Sequence, residues 1–250
     1  MLRVEGITQT FGGLTALTDV SFSVAPQSIT GIIGPNGAGK TTLFNIVTGL
    51  YTQTQGKVYL GDQDISFFEP ESLAKLGLVR TFQNVELFGQ MSVLENVMVG
   101  LHTKSKSGIF SCAFKLPGQI REEKMVREKA HRWLEFTGLT GVADMAACNL
   151  PFGKGRLLEI SRALAVEPQI ILMDEPAAGL NSRETAGLAQ LIRKIQALGI
   201  TIVLVEHDME LVMDVCESIV VLNLGKKLAH GTPREIQENK TVIAAYLGED

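Results

Sequence analysis

The sequence has few cysteines and no long apolar run. Cys112, Cys148 and Cys216 are odd in number and widely spaced, which matches no disulfide or metal-binding pattern. We therefore expect buried thiols in a reducing cytosol. Apolar runs such as Ile202–Val205 have the length of a strand, whereas a membrane span needs about 18 apolar residues. These absences argue against a disulfide-stabilised secreted domain and against a membrane-spanning chain.

The sequence also lacks an excess of basic residues. Lysine and arginine number 23 against 27 aspartates and glutamates, so the net charge is −4. A nucleic-acid-binding surface is strongly basic, and we therefore expect no nucleic-acid partner. The segment Met1–Gly6 has no basic stretch leading into an apolar core, so we expect no secretory signal. With 250 residues, the chain is long enough for one large domain or for a domain with an inserted lobe.

One pattern present in the sequence is the phosphate-binding loop Gly34–Thr41, of the form G-x-x-x-x-G-K-[ST]. Its glycines let the backbone turn its N–H groups inward onto an anion. Lys40 can reach the β- and γ-phosphates, and the hydroxyl of Thr41 can ligate Mg²⁺. A predicted strand over 28–33 and a predicted helix from Thr42 place the phosphates at a helix N-terminus. The alternative is a glycine-rich turn beside a chance lysine, and these flanks disfavour it.

The residues around this loop predict three kinds of structure. Residues 2–24 are predicted to form two or three strands around a turn at Gly12-Gly13, and 56–61 to form a further edge strand. From 84 to 165 the pattern is mostly helical. After Pro168, buried strands alternate with helices, which is typical of a parallel sheet covered on both faces.

Within the helical stretch, two features give more detail. Ser92 and Glu95 have the spacing of a capping box. Four apolar residues recur at helical spacing and are expected to face the core of this lobe: Val126, Ala130, Trp133 and Leu134. Towards the end of the chain, Thr232 to Glu235 predict the start of a terminal helix.

Two acids follow the apolar strand that ends at Met173. Ligands of open α/β sheets bind at the carboxyl ends of strands, where Asp174 can hold a Mg²⁺ bound to phosphates. Glu175 can then orient or deprotonate an attacking water. Two acids can also simply terminate a strand, but the upstream phosphate loop disfavours that interpretation. Gln83 and His207 follow other predicted strands and are expected at the same sheet edge.

Taken in order, these parts resemble the nucleotide-binding subunit of an ABC transporter, over essentially the whole chain. The resemblance implies an α/β fold of the RecA-like P-loop NTPase type. That fold would consist of a mainly parallel sheet, an antiparallel β subdomain and an inserted α-helical subdomain. We expect residues 1–250 to be one ABC ATPase domain, with 1–83 and 166–250 forming the core and β subdomain and 84–165 the helical subdomain.

The resemblance also implies the residues of the site. The aromatic ring that stacks on adenine corresponds to Phe11, the Q-loop residue to Gln83 and the D-loop to 177–181. Glu175 and His207 are the implied catalytic residues. The residues implied to bind ATP are Phe11, Gly34, Pro35, Asn36, Gly37, Ala38, Gly39, Lys40, Thr41, Thr42, Gln83, Gly153, Lys154 and Asp174. The residues implied to hold Mg²⁺ are Thr41, Gln83 and Asp174.

The signature segment over 150–156, which leads into a predicted helix from Leu157 to Ala165, departs from the usual LSGGQ sequence. Pro151, Phe152 and Lys154 replace the serine, the first glycine and the glutamine, and only Leu150 and Gly153 match. In the family this segment caps the γ-phosphate of ATP held by the opposite subunit. Lys154 can supply a cationic donor in place of the lost hydroxyl, or it can be an exposed lysine without that contact. The rate of hydrolysis is therefore an open question.

Within the family, 174–181 with Glu184-Thr185, and the tail 242–248, resemble the branched-chain amino acid importers of bacteria. The resemblance implies a second ATPase subunit, of the same or a homologous chain, and two integral membrane permeases. A periplasmic amino-acid-binding protein is implied indirectly. It also implies a peripheral location on the cytoplasmic face of the inner membrane. The predicted function is ATP binding and hydrolysis that energises uptake of branched-chain or other hydrophobic amino acids.

The helical stretch from Gln83 to Gly100 is the expected contact for a permease loop. Its apolar residues Val85, Leu87, Phe88 and Met91 suggest this contact. The alternative is that these side chains pack inside the helical lobe.

Other functions remain open on the sequence alone. The altered signature also fits a hydrolysis-poor regulatory partner in a heterodimeric transporter, and an ABC ATPase could serve urea, amides or lipopolysaccharide instead. A soluble ABC ATPase of DNA repair or of ribosomes would be expected to have two cassettes, a coiled-coil insertion or basic arms. A kinase or GTPase would need a second substrate pocket or a guanine motif. The sequence has no second cassette, coiled-coil insertion, basic arm or guanine motif, and nothing in it suggests a second substrate pocket.

Overall fold

In the computed structural model, which describes residues 2–81, 87–102 and 117–247, the chain begins with an antiparallel sheet. Its four strands, in the spatial order β2-β1-β4-β5, are β1 (Leu2–Phe11), β2 (Leu14–Val24), β4 (Gln55–Leu60) and β5 (Gln63–Asp64). The turn at Gly12-Gly13 between two strands confirms the sequence prediction. The expectation that 56–61 forms an edge strand was wrong, because the two-residue β5 pairs with the outer side of β4. A strand of two residues gives almost no sequence signal.

Among the described residues, the second sheet comprises the strands β3 (Ile29–Ile33), β6 (Leu78–Thr81), β7 (Ile170–Asp174), β8 (Thr201–Val205), β9 (Ser218–Asn223) and β10 (Lys226–Gly231). Their spatial order is β10-β9-β3-β8-β7-β6. Pairing is parallel from β9 through β3 and β8 to β7, and the hairpin strand β10 is antiparallel to β9. Every residue of β3, β7 and β8 is buried, as expected for strands covered on both faces.

The chain divides into two compact units, the first comprising Met1–Arg80 with Gln169–Asp250 and the second comprising Thr81–Pro168. The helices of the first unit are α1 (Lys40–Val47), α2 (Pro70–Lys75), α6 (Ser182–Ala197), α7 (Met209–Val215), α8 (Pro233–Gln237) and α9 (Lys240–Leu247). Thr232 and Glu235 form the expected capping box at α8. This helix is not the terminal one, however, since α9 follows it.

The second unit is helical and has its own core. Its helices are α3 (Val93–His102), α4 (Pro117–Phe136) and α5 (Phe152–Ala165). The capping box at α3 is present: the Ser92 N–H donates to Glu95 Oε2 at 2.7 Å, and the Glu95 N–H donates to Ser92 Oγ at 3.1 Å. Ala130 and Leu134 are buried in this core, and Trp133 packs against it, so the prediction of a core-facing stripe is confirmed.

Helix α5 begins at Phe152, five residues before the expected start at Leu157. Pro151 occupies the position before the helix with a φ of −55°, and its carbonyl accepts the Gly155 N–H at 3.0 Å. The glycines at 153 and 155 have low helix propensity, which obscured this first turn in the sequence. The consequence is that Gly153 and Lys154 lie in the first turn of a helix.

Within the described part of the chain, no helix combines the length and the apolar character that a membrane crossing requires.

Candidate functional site

The loop between β3 and α1 contains two glycines that no other residue can replace without strain. A Cβ atom on Gly34 would lie 2.1 Å from the carbonyl oxygen of Leu222, so this part of the loop packs directly against β9. Gly39 precedes α1 in a left-handed conformation with a φ of 99°, and a Cβ there would lie 2.6 Å from Leu17 Cδ2. The pattern of glycines is therefore dictated by close backbone packing as well as by turn geometry.

The remaining residues of the loop follow its curve into the helix. Pro35 is half-buried, Asn36 is exposed and Ala38 is buried. Thr41 is exposed and Thr42 is half-buried, and both belong to the first turn of α1. In the structure as described, no side chain caps α1 and its first turn contains no acidic residue. The free N–H groups of that turn are suited to bind an anion such as a phosphate.

Two later segments of the chain support the loop from outside. The Gly225 N–H, in the β9–β10 turn, donates to the carbonyl of Ala38 at 3.2 Å. Burial raises the pKa of Tyr246, on α9, to about 12, while a hydrogen bond with the backbone of Gly34 acts in the opposite direction. The C-terminal helix thus touches the start of the phosphate loop, a contact that the sequence analysis missed because it depends on long-range packing.

Lys40 is buried at the base of this loop. Its Nζ donates to the carbonyl oxygens of Gly34 at 2.7 Å and Pro35 at 3.0 Å. Burial lowers the pKa of Lys40, whereas the charges of Glu175 and Asp174 raise it. The lysine and the two predicted carboxylates therefore lie within one electrostatic environment.

Asp174 is the last residue of β7 and is buried, and its carboxylate is paired with an arginine. Arg80 Nη2 lies 2.5 Å from Asp174 Oδ2, and both side chains are less than a tenth exposed. Arg80 Nη1 donates to Asn45 Oδ1 at 2.6 Å and to Thr48 Oγ1 at 3.2 Å, so the guanidinium connects Asp174 to α1. Arg80 was not among the predicted site residues, although its position three residues before Gln83, near the end of a strand, was a usable signal.

We expect Arg80→Ala to lower the free energy of unfolding by about 3–5 kcal/mol, because it leaves the Asp174 carboxylate buried without its partner. Urea denaturation followed by far-ultraviolet circular dichroism measures this change. Arg193→Ala is the matched control, since the Arg193–Asp214 pair is about half exposed and should contribute no more than about 1 kcal/mol. Equal losses in the two variants would contradict the structural importance given to the buried pair.

Glu175 adopts a backbone conformation that is unusual for a residue with a side chain. Its φ is 46°, in the left-handed region, and its N–H donates to the carbonyl of Val205 at 2.9 Å. Its Oε1 lies 2.9 Å from Nε2 of His207, which follows β8. The structure therefore brings the two predicted catalytic side chains into direct hydrogen-bond contact. Such strained backbone positions cluster at functional sites.

Glu206 is buried beside this pair and accepts backbone hydrogen bonds from two loops. Its Oε1 accepts from the Ala177 N–H at 2.7 Å, and its Oε2 accepts from the N–H groups of His207 at 3.0 Å and Asp208 at 3.3 Å. Burial raises the pKa of the Glu206 carboxyl, against the opposing effect of these hydrogen bonds. The sequence analysis gave this residue no role, because an acid beside a histidine gives no sign of its backbone contacts.

Phe11 lies at the end of β1 and is 43% exposed, as a ring available for stacking would be. Tyr51 packs edge-on against it, with 5.5 Å between ring centroids. The sequence analysis missed this second aromatic ring, which lies 40 positions later in the chain.

The signature segment lies in the second unit. Lys154 is exposed and Gly153 half-buried in the first turn of α5, where no side-chain cap is formed within the described residues. Beneath them, Arg156 is fully buried and its Nη1 contacts Glu159 Oε2 at 2.8 Å. This pair fixes the start of the helix from inside. The remaining predicted site residue, Gln83, lies outside the described residues.

The arrangement around Lys40, with its tight glycine loop and the uncapped N-terminus of α1, is that of a P-loop, a motif that binds nucleotide phosphates. The general model of the ABC transporter family matches residues 17–178, which is more than half of the chain. The chain belongs to the ABC transporter ATP-binding proteins, which hydrolyse ATP to power transport. A second family model, described as the branched-chain amino acid ATP-binding cassette transporter, matches residues 226–250.

Individual relatives and solved structures are similar to this chain over nearly their whole length. The high-affinity branched-chain amino acid transport ATP-binding protein LivG of Escherichia coli K12 is 46% identical over 250 residues, covering 100% of this chain and 98% of LivG. An ATP-binding cassette of an ABC transporter in its ADP conformation has a TM-score of 0.86 and 37% identity, covering 100% and 99% of the two chains. A dimeric cassette bound to ADP and Pi has a TM-score of 0.79 and 27% identity, covering 94% and 99%.

Proposed function

We propose that this chain is the ATP-hydrolysing subunit of an importer for branched-chain or similar hydrophobic amino acids. The observation that carries the proposal is the match of residues 226–250 to the branched-chain family model, added to full-length similarity to LivG. In the structure this C-terminal segment includes Tyr246, which contacts the phosphate loop at Gly34. The part of the sequence that is specific to the subfamily is thereby linked to the nucleotide site.

In the proposed mechanism, the residues that bind ATP are distinct from those that hydrolyse it. The phosphate loop and Lys40 hold the phosphates through backbone N–H groups and one buried charge. Phe11 stacks on the adenine ring. Glu175 orients or deprotonates the attacking water, and His207 is placed by its 2.9 Å contact with Glu175 to sense the γ-phosphate.

Thr41, Gln83 and Asp174 would hold the Mg²⁺ that accompanies the nucleotide. The described donors fit this ion, because Mg²⁺ prefers a hydroxyl, one or two carboxylates and substrate phosphates to an all-protein cage. Asp174 contacts Arg80 through Oδ2, and its other oxygen, Oδ1, is suited to the metal. Bound there, the ion would neutralise charge on the β- and γ-phosphates.

We propose that two such chains, identical or homologous, enclose ATP between the P-loop of one and the signature segment of the other. The chain contains one copy of each of these parts. The uncapped first turn of α5 can donate N–H groups to a terminal phosphate, and exposed Lys154 can add a charge. ATP would then join the two chains, and hydrolysis would release them.

The proposed permease contact is an apolar surface of the second unit, the Phe88 patch, formed by Phe88, Met91, Met145 and Cys148. Backbone hydrogen bonds join its two segments, including Cys148 N–H to Gly89 O at 3.1 Å. The first three side chains are 36–49% exposed. Cys148 is exposed as well, so the expectation of buried thiols holds for Cys216 and is wrong for Cys148. Of the other residues predicted for this contact, Leu87 packs against the core of the unit and Val85 lies outside the described residues.

A photo-crosslinker attached to the thiol of Cys148 is expected to join this chain to membrane subunits of the native complex. Cys216 is buried and, since burial also raises its pKa to about 12, should react little. Cys112 lies outside the described residues and is replaced by serine in every sample. Adding Cys148→Ser to that background is the control and should abolish the crosslink, as analysed by mass spectrometry. A labelled Cys148 that crosslinks only to water-soluble proteins would contradict the proposed contact.

The substrate class is tested with the complex purified from its native membrane and reconstituted in liposomes. We place the ATPase peripherally, on the cytoplasmic face of the inner membrane, and expect a periplasmic binding protein in the same system. We expect ATP hydrolysis to be stimulated by leucine, isoleucine or valine. Stimulation by urea or an amide alone would assign another substrate. Tight ATP binding without turnover would instead favour a regulatory subunit, as the altered signature segment allows.

A further inference from the structure

The carboxylate of Glu206 holds together the two loops that carry the proposed catalytic side chains. One oxygen accepts the Ala177 N–H, two residues after Glu175, and the other accepts the N–H groups of His207 and Asp208. Glu206 itself is only 3% exposed. A buried carboxylate with both oxygens occupied by backbone donors fixes those donors relative to each other.

The loop after β7 needs such support because Glu175 is in the left-handed region with a φ of 46°. A residue with a side chain keeps this conformation only where surrounding contacts determine it. On one side, the Glu175 N–H is held by the carbonyl of Val205 at 2.9 Å. On the other side, the Ala177 N–H is held by Glu206 at 2.7 Å.

We propose that Glu206 is a positioning residue for ATP hydrolysis, which sets the 2.9 Å contact between Glu175 Oε1 and His207 Nε2. This inference rests on the catalytic roles given to Glu175 and His207 under the proposed function. Glu206 acts through the backbone of both loops and does not itself contact the nucleotide. Its effect therefore falls on the rate of hydrolysis and leaves binding of ATP by the phosphate loop unchanged.

Glu206→Gln separates the need for two acceptor oxygens from the need for a side chain of that size. Glutamine has nearly the same shape, but it replaces one acceptor oxygen by an NH₂ group, which is a donor and cannot accept an N–H. This NH₂ group must then face either Ala177 or the pair His207 and Asp208, and one loop loses its anchor. Misplacement of reacting groups by a fraction of an ångström to about 1 Å is enough to slow a reaction as much as 10²-fold.

We expect Glu206→Gln, assayed in the native complex, to lower kcat about 10–100-fold while the Kd for ATP stays within about twofold. Glu235→Gln is the matched control, because Glu235 also accepts a backbone N–H, from Thr232 at 2.7 Å, but is exposed at the start of α8. It should leave kcat unchanged. Glu206→Asp keeps the charge but is shorter by one methylene, and it should also lower kcat. That variant provides the same test if Glu206→Gln fails to fold.

A double-mutant cycle with His207→Ala distinguishes positioning from a general structural role. If Glu206 sets the Glu175–His207 contact, adding Glu206→Gln to His207→Ala should lower kcat by no more than about twofold further. The inference would be overturned if the reductions in kcat caused by Glu206→Gln and His207→Ala multiplied in the double variant, or if Glu206→Gln alone had the wild-type kcat. The proposed function would stand in either case. A wild-type kcat for His207→Ala alone would instead overturn the role of His207 in the proposed function.

Discussion

Replacing Glu175 by glutamine is expected to remove most ATP turnover, lowering kcat about 10²–10⁴-fold, which is the usual contribution of a general base. The Glu175 carboxylate directly follows β7, is partly exposed and contacts His207 at 2.9 Å. Glutamine keeps the size of the side chain and the left-handed backbone but cannot take a proton from water. The Kd for ATP should stay within about twofold, because the lost interaction acts in the transition state.

The measurement is a steady-state ATPase assay on the purified complex, paired with equilibrium binding of ATP. Glu184→Gln is the control, because Glu184 accepts a backbone N–H in the capping box of α6 and is exposed. It should keep nearly full turnover. An equal loss of ATP binding in Glu175→Gln would contradict a role confined to hydrolysis.

Replacing Lys40 by alanine is expected to weaken ATP binding itself, by roughly 10–100-fold in Kd. This factor corresponds to the loss of one charged hydrogen bond, about 1.5–3 kcal/mol. The Lys40 ammonium is buried beneath the loop and lies within reach of the Gly34 and Pro35 carbonyls. A phosphate bound to the loop would meet that charge in a place where water screens it little.

Binding of ATP, measured by isothermal titration calorimetry, provides the direct test of Lys40→Ala. Lys75→Ala is the matched control, since Lys75 is an exposed lysine that pairs with Glu71 on α2. The Lys75→Ala variant should bind ATP with the same affinity as the wild-type chain. If Lys40→Ala bound ATP as tightly as the wild type but failed to hydrolyse it, the separation of binding from hydrolysis proposed here would be wrong.

Local patterns in the sequence predicted much of the fold correctly. The strand ending at Ile33, the helix that follows it and the apolar strand ending at Asp174 all depend on short-range periodicity and turn chemistry. The capping boxes at Ser92 and Thr232 were also predictable, because each depends on residues three positions apart. The order of these elements indicated the family.

Long-range contacts were not predictable in this way. Arg80 pairs with Asp174 across 94 positions, and Glu206 binds the backbone of Ala177 across 29 positions. The partners of Glu206 are backbone N–H groups, which nearly every residue type has. The sequence at those positions therefore does not reveal the contact. The early start of α5 was hidden because its first turn contains glycine, whose preference for coil was outweighed by the fixed φ of Pro151.

In the proposed mechanism, two chains enclose each ATP, one through its P-loop and the other through its signature segment. The most direct test is a structure of the assembled Glu175→Gln complex with ATP and Mg²⁺. We predict that Gly153 and Lys154 of one ATPase chain lie against the terminal phosphate held by the P-loop of the other. A structure in which every bound terminal phosphate is remote from a signature segment would contradict the account.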